Sequence, residues 1–269
     1  MPYAQELGSL MFGWRAKDKG PPRTPRGRRA YAIGDVHGRL DLLDELLATI
    51  ERDVEHRPQR KTVLVFLGDL IDRGPDSRGV IERLRNFRHE QLKPIFLAGN
   101  HEEVLLRLLS GERGILPSWL KYGGAQCLES YGFDPANLDM GNERASLSMI
   151  KDVIPQPHVS FIESFADTLR FGDYLFVHAG IRPGVDLSLQ SQMDLRWIRA
   201  PFLEDQSDHG MIVVHGHTIS DEVEIGPNRI GIDTGAYRTG RLSALALDGE
   251  ERWLLDTAAE ELSAKVAAS

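Results

Sequence analysis

The chain has 269 residues, with 32 Lys and Arg against 40 Asp and Glu, a formal net charge of −8. That length allows one large domain or two small ones, and 41% apolar with 27% charged residues is the composition of a soluble globular protein with ample core material. No apolar run approaches the ~20 residues that cross a bilayer, Leu7 to Trp14 is too short for a signal peptide, and the single cysteine, Cys127, excludes an internal disulfide; a cytoplasmic protein is expected.

Charge is unevenly spread. Residues 1–29 hold seven Lys/Arg against Glu6 and Asp18, a net of +5, which leaves −13 on residues 30–269. With Gly20, Pro21, Pro22, Pro25 and Gly27 among them, residues 1–29 read as a flexible basic arm able to dock on an anionic partner. The acidic body argues against long nucleic acids as partners.

From Arg29 to Asp35 the chain is apolar and ends in Gly-Asp, and Leu40, Leu43, Leu46, Leu47 and Ile50 then recur at helical spacing as far as Val54. The pattern returns as a β-branched run from Thr62 to Asp69 with a helix from Ser77 to Phe87. It returns again as Lys93 to Asn100 with a helix from Glu102 to Leu109. Three strand–loop–helix units predict parallel βαβ pairing, and ligands of such sheets bind beyond the carboxyl ends of the strands. Residues 110–160 read as a helical insertion or cap. Leu169 to His178, Met211 to Thr218, Arg229 to Thr234 and Leu242 to Asp248 read as short strands of a second sheet. The expected fold is therefore α/β, a four-layer α/β/β/α sandwich over residues 30–257, with a frayed tail over 258–269.

Five polar clusters fall at the ends of five predicted strands: Asp35 and His37, Asp69, Asn100 and His101, His178, and His215 and His217. Carboxylates, an amide oxygen and imidazoles without thiolate suit a pair of Mn²⁺, Fe or Zn²⁺ ions. Cys127 reads as a helix-packing thiol, and His56, His89, His158 and His209 as ordinary surface or loop residues.

Gly34-Asp35-Val36-His37-Gly38, Gly68-Asp69-Leu70-Ile71-Asp72-Arg73-Gly74 and Gly99-Asn100-His101-Glu102 together resemble the three-part signature of the calcineurin-like metallophosphoesterases. Asp72-Arg73-Gly74 and Glu102 resemble the PPP-type serine/threonine phosphatases more than the bis(5′-nucleosyl)-tetraphosphatases. Val177-His178-Ala179-Gly180, Gly216-His217-Thr218 and Ile232-Asp233-Thr234-Gly235-Ala236 resemble the bacterial members. The resemblance covers about residues 30 to 250.

It implies the four-layer fold with two mixed sheets and hydrolysis of phosphoserine or phosphothreonine by in-line attack of a hydroxide held between two divalent ions, Mn²⁺ first among them. Asp35, His37 and Asp69 would hold the first ion, and Asp69, Asn100, His178 and His217 the second. Arg73 would grip phosphate, and His101, oriented by Asp72, would protonate the leaving alkoxide. A second phosphate arginine is expected at Arg199, with Arg196 as its rival. His215 lies outside the usual ligand set and reads either as a further ligand or as a buried neighbour of the ligands. A symmetrical bis(5′-nucleosyl)-tetraphosphatase or another small-phosphoester hydrolase is the alternative activity.

Overall fold

The structure is a computed structural model and describes residues 20–258. Three strand–helix units open it: β1 (Arg28–Ile33) and α1 (Leu40–Glu55), β2 (Lys61–Phe66) and α2 (Ser77–Arg85), β3 (Leu92–Phe96) and α3 (Asn100–Leu109). β1 and β2 are parallel in the register Arg28 opposite Lys61 through Ile33 opposite Phe66, and β3 is parallel to β2. Both faces of these strands are covered, which is why they read as continuous apolar runs. Tyr31, Ile33, Leu64 and Phe66 meet the α1 side chains Leu43, Leu46, Leu47 and Ile50, while Ala30, Ala32 and Val65 face the second sheet.

The next stretch is helical: α4 (Leu116–Trp119), a wide turn over Leu120–Gly124, α5 (Ala125–Ser130), α6 (Glu143–Val153) and α7 (Gln156–Glu163). The chain then forms β4 (Thr168–Phe171), β5 (Tyr174–Val177), α8 (Gln192–Trp197), α9 (Ala200–Leu203), β6 (Ile212–His215), β7 (Glu224–Ile225), β8 (Arg229–Gly231), α10 (Ala236–Thr239), β9 (Ser243–Asp248) and β10 (Glu251–Asp256). The first sheet has the order β10-β9-β1-β2-β3 and the second β4-β5-β6-β8-β7. Both are mixed: β9 runs antiparallel to β1, and β5, β6 and β8 run parallel between two antiparallel edges. Phe171, Phe176, Val214, Ile230, Leu245 and Leu247 fill the space between the sheets, and Leu195, Ile198 and Phe202 of the α8–α9 region cover the outer face of the second. This is the four-layer α/β/β/α sandwich expected.

Three expectations are corrected. Leu169 to His178 is a hairpin, because the chain turns at Gly172, whose φ is +66°. Leu242 to Asp248 belongs to the first sheet. Its Ala244 and Ala246 face the helix-side core and its Leu245 and Leu247 the inter-sheet core, so both faces must be covered, and only the place beside β1 does that. The flexible arm expected over 1–29 falls outside the described residues up to 19, as does the tail from 259. Residues 20–29, however, are tied down: Thr24 N–H donates to Gly249 O (3.0 Å) and Arg23 N–H to Asp173 Oδ2 (2.9 Å).

Arg29 is 1% exposed, donates from Nε and Nη2 to Asp248 Oδ2 (3.1 and 2.8 Å), and also reaches Pro58 O. A buried guanidinium stripped of its carboxylate keeps its full desolvation cost. Asp248→Ala is expected to destabilise the chain by about 3 kcal/mol in urea unfolding; a loss indistinguishable from zero would show the pair to be idle. Among the described residues no helix is long and apolar enough to cross a membrane.

Candidate metal centre

The parallel strands of both sheets deliver their carboxyl ends to one edge, and the polar clusters sit there. Asp35 and His37 follow β1, Asp69 follows β2, Asn100 and His101 open α3 after β3, His178 follows β5, and His217 follows β6. The loops are laced together by backbone: Val36 N–H and His37 N–H both donate to Asp69 O (3.2 and 2.9 Å), and Gly216 N–H donates to His178 O (2.8 Å). Among the described residues, all five non-glycine residues with positive φ lie here, namely His37 (46°), Asp69 (49°), Asp72 (71°), Arg73 (69°) and His217 (64°). Such strain persists only where surroundings over-determine it, and it concentrates at working sites. Gly68 (φ +103°) is required by contact as well, since a Cβ there would stand 2.6 Å from Gly99 N and 2.9 Å from His178 Nδ1.

Asp69 is the hub. Its Oδ2 lies 3.6 Å from His37 Nε2 and 3.9 Å from His101 Nε2, and its Oδ1 lies 3.5 Å from His178 Nε2. Two donor groups result, His37–Asp69–His101 and Asp69–His178–His217, each with its ligand atoms within 4.8 Å of one another and all members buried. Asn100 Oδ1 adds an oxygen 3.0 Å from His178 Nε2. Asp35, expected as a ligand, stands beside these groups: its carboxylate accepts from His217 N–H (3.1 Å) and lies against Asp233. His101, expected as an acid, occupies the matching place in the first group.

Burial pushes His37 and His178 below their usual values and His217 down to about 3, so their lone pairs are free at neutral pH. Burial opposes ionisation of Asp69, but the surrounding imidazoles of His178, His101, His37 and His217 outweigh it and hold the carboxyl well below its ordinary range. Asp35 and Asp233 go the other way. Burial raises both; at Asp35 the charges of Asp233 and Asp69 add to it, and at Asp233 that of Asp69, which lifts the Asp233 carboxyl to about 6. His217 Nε2 is buried without a hydrogen-bond partner. An orphaned imidazole nitrogen beside crowded buried carboxyls is a donor set that divalent ions take, so the residues fit such a pair.

Beside the hub, His101 Nδ1 donates to Asp72 Oδ2 (2.7 Å), and Arg73 Nη2 donates to His101 Nε2 (3.1 Å). Burial lowers the basicity of His101, but Asp69 and Asp72 outweigh it, leaving the imidazole above its usual value. Trp119 Nε1–H donates to the same Asp72 oxygen (3.0 Å), and Arg73 N–H is held by Gly123 O (3.2 Å). Arg73, Asn100, His101, Trp119, Tyr122, Trp197, Arg199 and His217 line a cleft of about 470 Å³. Arg199 and Arg196 part company here. Arg196 is spent on Asp167 (2.6 Å) and Glu103 (3.3 Å), whereas Arg199 reaches only His217 O at 3.5 Å and fronts the cleft.

His215 falls outside both donor groups. Side chains alternate along β6, so Val214 points between the sheets while His215 points the other way, edge-on to Phe202 (5.1 Å). His158 corrects an expectation: it is a buried link, joining Tyr131 Oη (2.9 Å) to Glu82 Oε2 (2.7 Å). Burial and then Asp72 push the Cys127 thiol well above its ordinary value, so it stays protonated.

Sequence reasoning missed three site residues. Glu102, fully buried, accepts from Asp69 N–H (2.8 Å), Gly99 N–H (2.9 Å) and Leu70 N–H (2.8 Å), which clamps the second motif to the third; its capping-box spacing was the available signal. Asp233 and Trp119 carried no local signal for their contacts.

The model of the calcineurin-like phosphoesterase family matches residues 28–245. The chain is 28% identical over 225 residues to serine/threonine-protein phosphatase 2 of Escherichia coli, covering 80% of this chain and 91% of that one. It is 37% identical over 244 residues to the asymmetrical bis(5′-nucleosyl)-tetraphosphatase PrpE of Oceanobacillus iheyensis, covering 81% and 88%. A solved structure provisionally described as a diadenosine tetraphosphatase shares the fold, with a TM-score of 0.60 and 20% identity over 87% of this chain and 95% of that one.

Proposed function

The chain belongs to the calcineurin-like phosphoesterases, a family of metal-dependent phosphoester hydrolases, and from that premise we propose that it removes phosphate from phosphoserine and phosphothreonine in proteins. The observation that carries the reading is Asp69 standing between two buried donor groups whose His101 and His217 also line a cleft with Arg73 and Arg199. Asp35, His37 and Asp69 would hold one ion, and Asp69, Asn100, His178 and His217 the other. When bound, such a pair supplies Lewis acidity and a water of lowered pKa.

The chain's own residues do the rest. Arg73 and Arg199 present forked donors to the phosphate oxygens, a match for a dianionic monoester. A phosphate competes with His101 for Arg73, and its arrival frees His101 Nε2 to face the ester oxygen. Once released, Nε2 takes up a proton from solvent, the adjacent Asp72 carboxylate favouring the imidazolium, and His101 delivers that proton to the departing alkoxide, while Asp72 holds Nδ1–H and so fixes the ring. Trp119, through its bond to the same Asp72 oxygen, keeps that carboxylate aimed. Trp119→Phe keeps most of the buried bulk and removes the donor. It is expected to lower kcat on a phosphoserine peptide about tenfold, the scale of a hydrogen bond to a charged group, with KM within about twofold; unchanged kcat would sever Trp119 from the dyad.

Hydrolysis of bis(5′-nucleosyl) tetraphosphates is the second reading, favoured by the 37% identity to a relative of that name. A phosphoserine peptide and diadenosine tetraphosphate assayed side by side with Mn²⁺ decide between them. The phosphatase reading expects the larger kcat/KM on the peptide; rapid turnover of the dinucleotide alone overturns it.

A further inference from the structure

Arg73 combines a left-handed backbone (φ +69°) with a half-buried side chain, and among the described residues no carboxylate is ion-paired with it. Its guanidinium has one hydrogen-bond contact, from Nη2 to His101 Nε2 at 3.1 Å. A phosphate that takes the guanidinium's donors breaks that bond, so something else must hold the side chain in the loaded site.

Tyr237 is in place to do so. The Arg73 guanidinium carbon lies over its ring, 4.8 Å from the centroid, inside the ~6 Å at which an aromatic face attracts a cation. The same ring meets His37 edge-on, with centroids 5.3 Å apart and planes at 84°. Tyr237 is half-buried on α10, and that short helix is braced from several sides. Gly235 enters it in the left-handed region (φ +69°) with its N–H on Asp233 Oδ1 (2.9 Å). Thr239 Oγ1 donates to Thr234 O (2.9 Å), and Arg39 Nη1 donates to Ala236 O (2.9 Å). The ring therefore stands as a fixed wall behind a long and otherwise loosely held cation.

The chemistry of that wall matters. A carboxylate beside Arg73 would accept its forked N–H donors and repel an arriving dianion. A ring face attracts the cation, carries no charge and leaves those donors free for phosphate oxygens.

We propose that Tyr237 is a positioning residue whose ring holds the Arg73 guanidinium in its phosphate-gripping pose with the N–H donors uncommitted. The inference rests on the assignment of Arg73 to phosphate under the proposed function. It calls on the ring and makes no use of the hydroxyl.

Inorganic phosphate titrated calorimetrically into the Mn²⁺-loaded protein tests this, with metal content measured in every sample. Tyr237→Leu keeps apolar bulk and loses the ring, and is expected to weaken phosphate binding about tenfold, within the range of a desolvated cation–π contact. Tyr237→Phe should stay within about twofold of the parent. Arg73→Ala should weaken binding as well, and adding Tyr237→Leu to it should cost nothing further, the non-additivity of two groups that act as one. Parental affinity in Tyr237→Leu overturns the proposal, as does an equal loss in Tyr237→Phe. A loss that persists in the Arg73→Ala background also overturns it, since the effect would then run through His37. Parental affinity in Arg73→Ala removes the grip and the proposal with it. A chain that shows the expected pattern but leaves a phosphoserine peptide intact loses the peptide reading and keeps the role of Tyr237.

Discussion

Asp69→Asn is expected to lower kcat by at least about 10³-fold, the scale of losing a central electrostatic element of a preorganised site. The two oxygens of Asp69 face opposite donor groups, so a neutral amide weakens both at once and turns an N–H₂ toward an imidazole nitrogen. A merely structural role predicts only a fall in stability. Because the fold favours ionised Asp69, the metal-free variant should also melt somewhat lower than the metal-free parent, so turnover is compared where both are folded, and a structural role alone would leave kcat per folded chain near normal. Steady-state kinetics and thermal melts on the chelated proteins read the two effects separately. Near-normal turnover by the variant would contradict the assignment of Asp69 as the shared ligand.

His101→Gln should show its effect through the leaving group. A serine alkoxide departs poorly unless protonated, so loss of the acid is expected to lower kcat on a phosphoserine peptide by about 10² to 10⁴-fold. An activated aryl phosphate leaves without that proton, and its kcat should fall by no more than about tenfold. Asp72→Asn, which leaves the imidazole in place but removes the carboxylate at 2.7 Å, should give a milder version of the same split. Equal losses on both substrates would make His101 a metal ligand of the His37–Asp69 group instead of the acid.

The loops of Asp35, Asp69 and Asn100 were legible because each is short and local: an apolar strand, a Gly-Asp or Gly-Asn turn, then a helix. Topology followed from the same repetition. What stayed hidden depends on partners far away in the chain. Trp119 meets Asp72 across 47 positions and Arg196 meets Asp167 across 29, and no local pattern encodes either contact. The preference for Arg199 over Arg196 rested on resemblance, and nothing local in sequence announces that Arg196 is ion-paired with Asp167 and Glu103. β9 was readable as a strand but not as a member of the first sheet, since alternating Ala and Leu suit any site with two covered faces. His158 looked like a surface residue because nothing nearby in sequence announces Glu82 or Tyr131.

The central claim is that two divalent ions on the Asp69 hub are needed for phosphoester hydrolysis. Metal-free protein titrated with Mn²⁺, with bound metal and turnover measured on the same samples, tests it most directly. No turnover is expected from the chelated chain, and activity should rise to its maximum only as occupancy approaches two ions per chain. Full activity in the chelated protein, or a maximum reached at a single ion per chain, would contradict it.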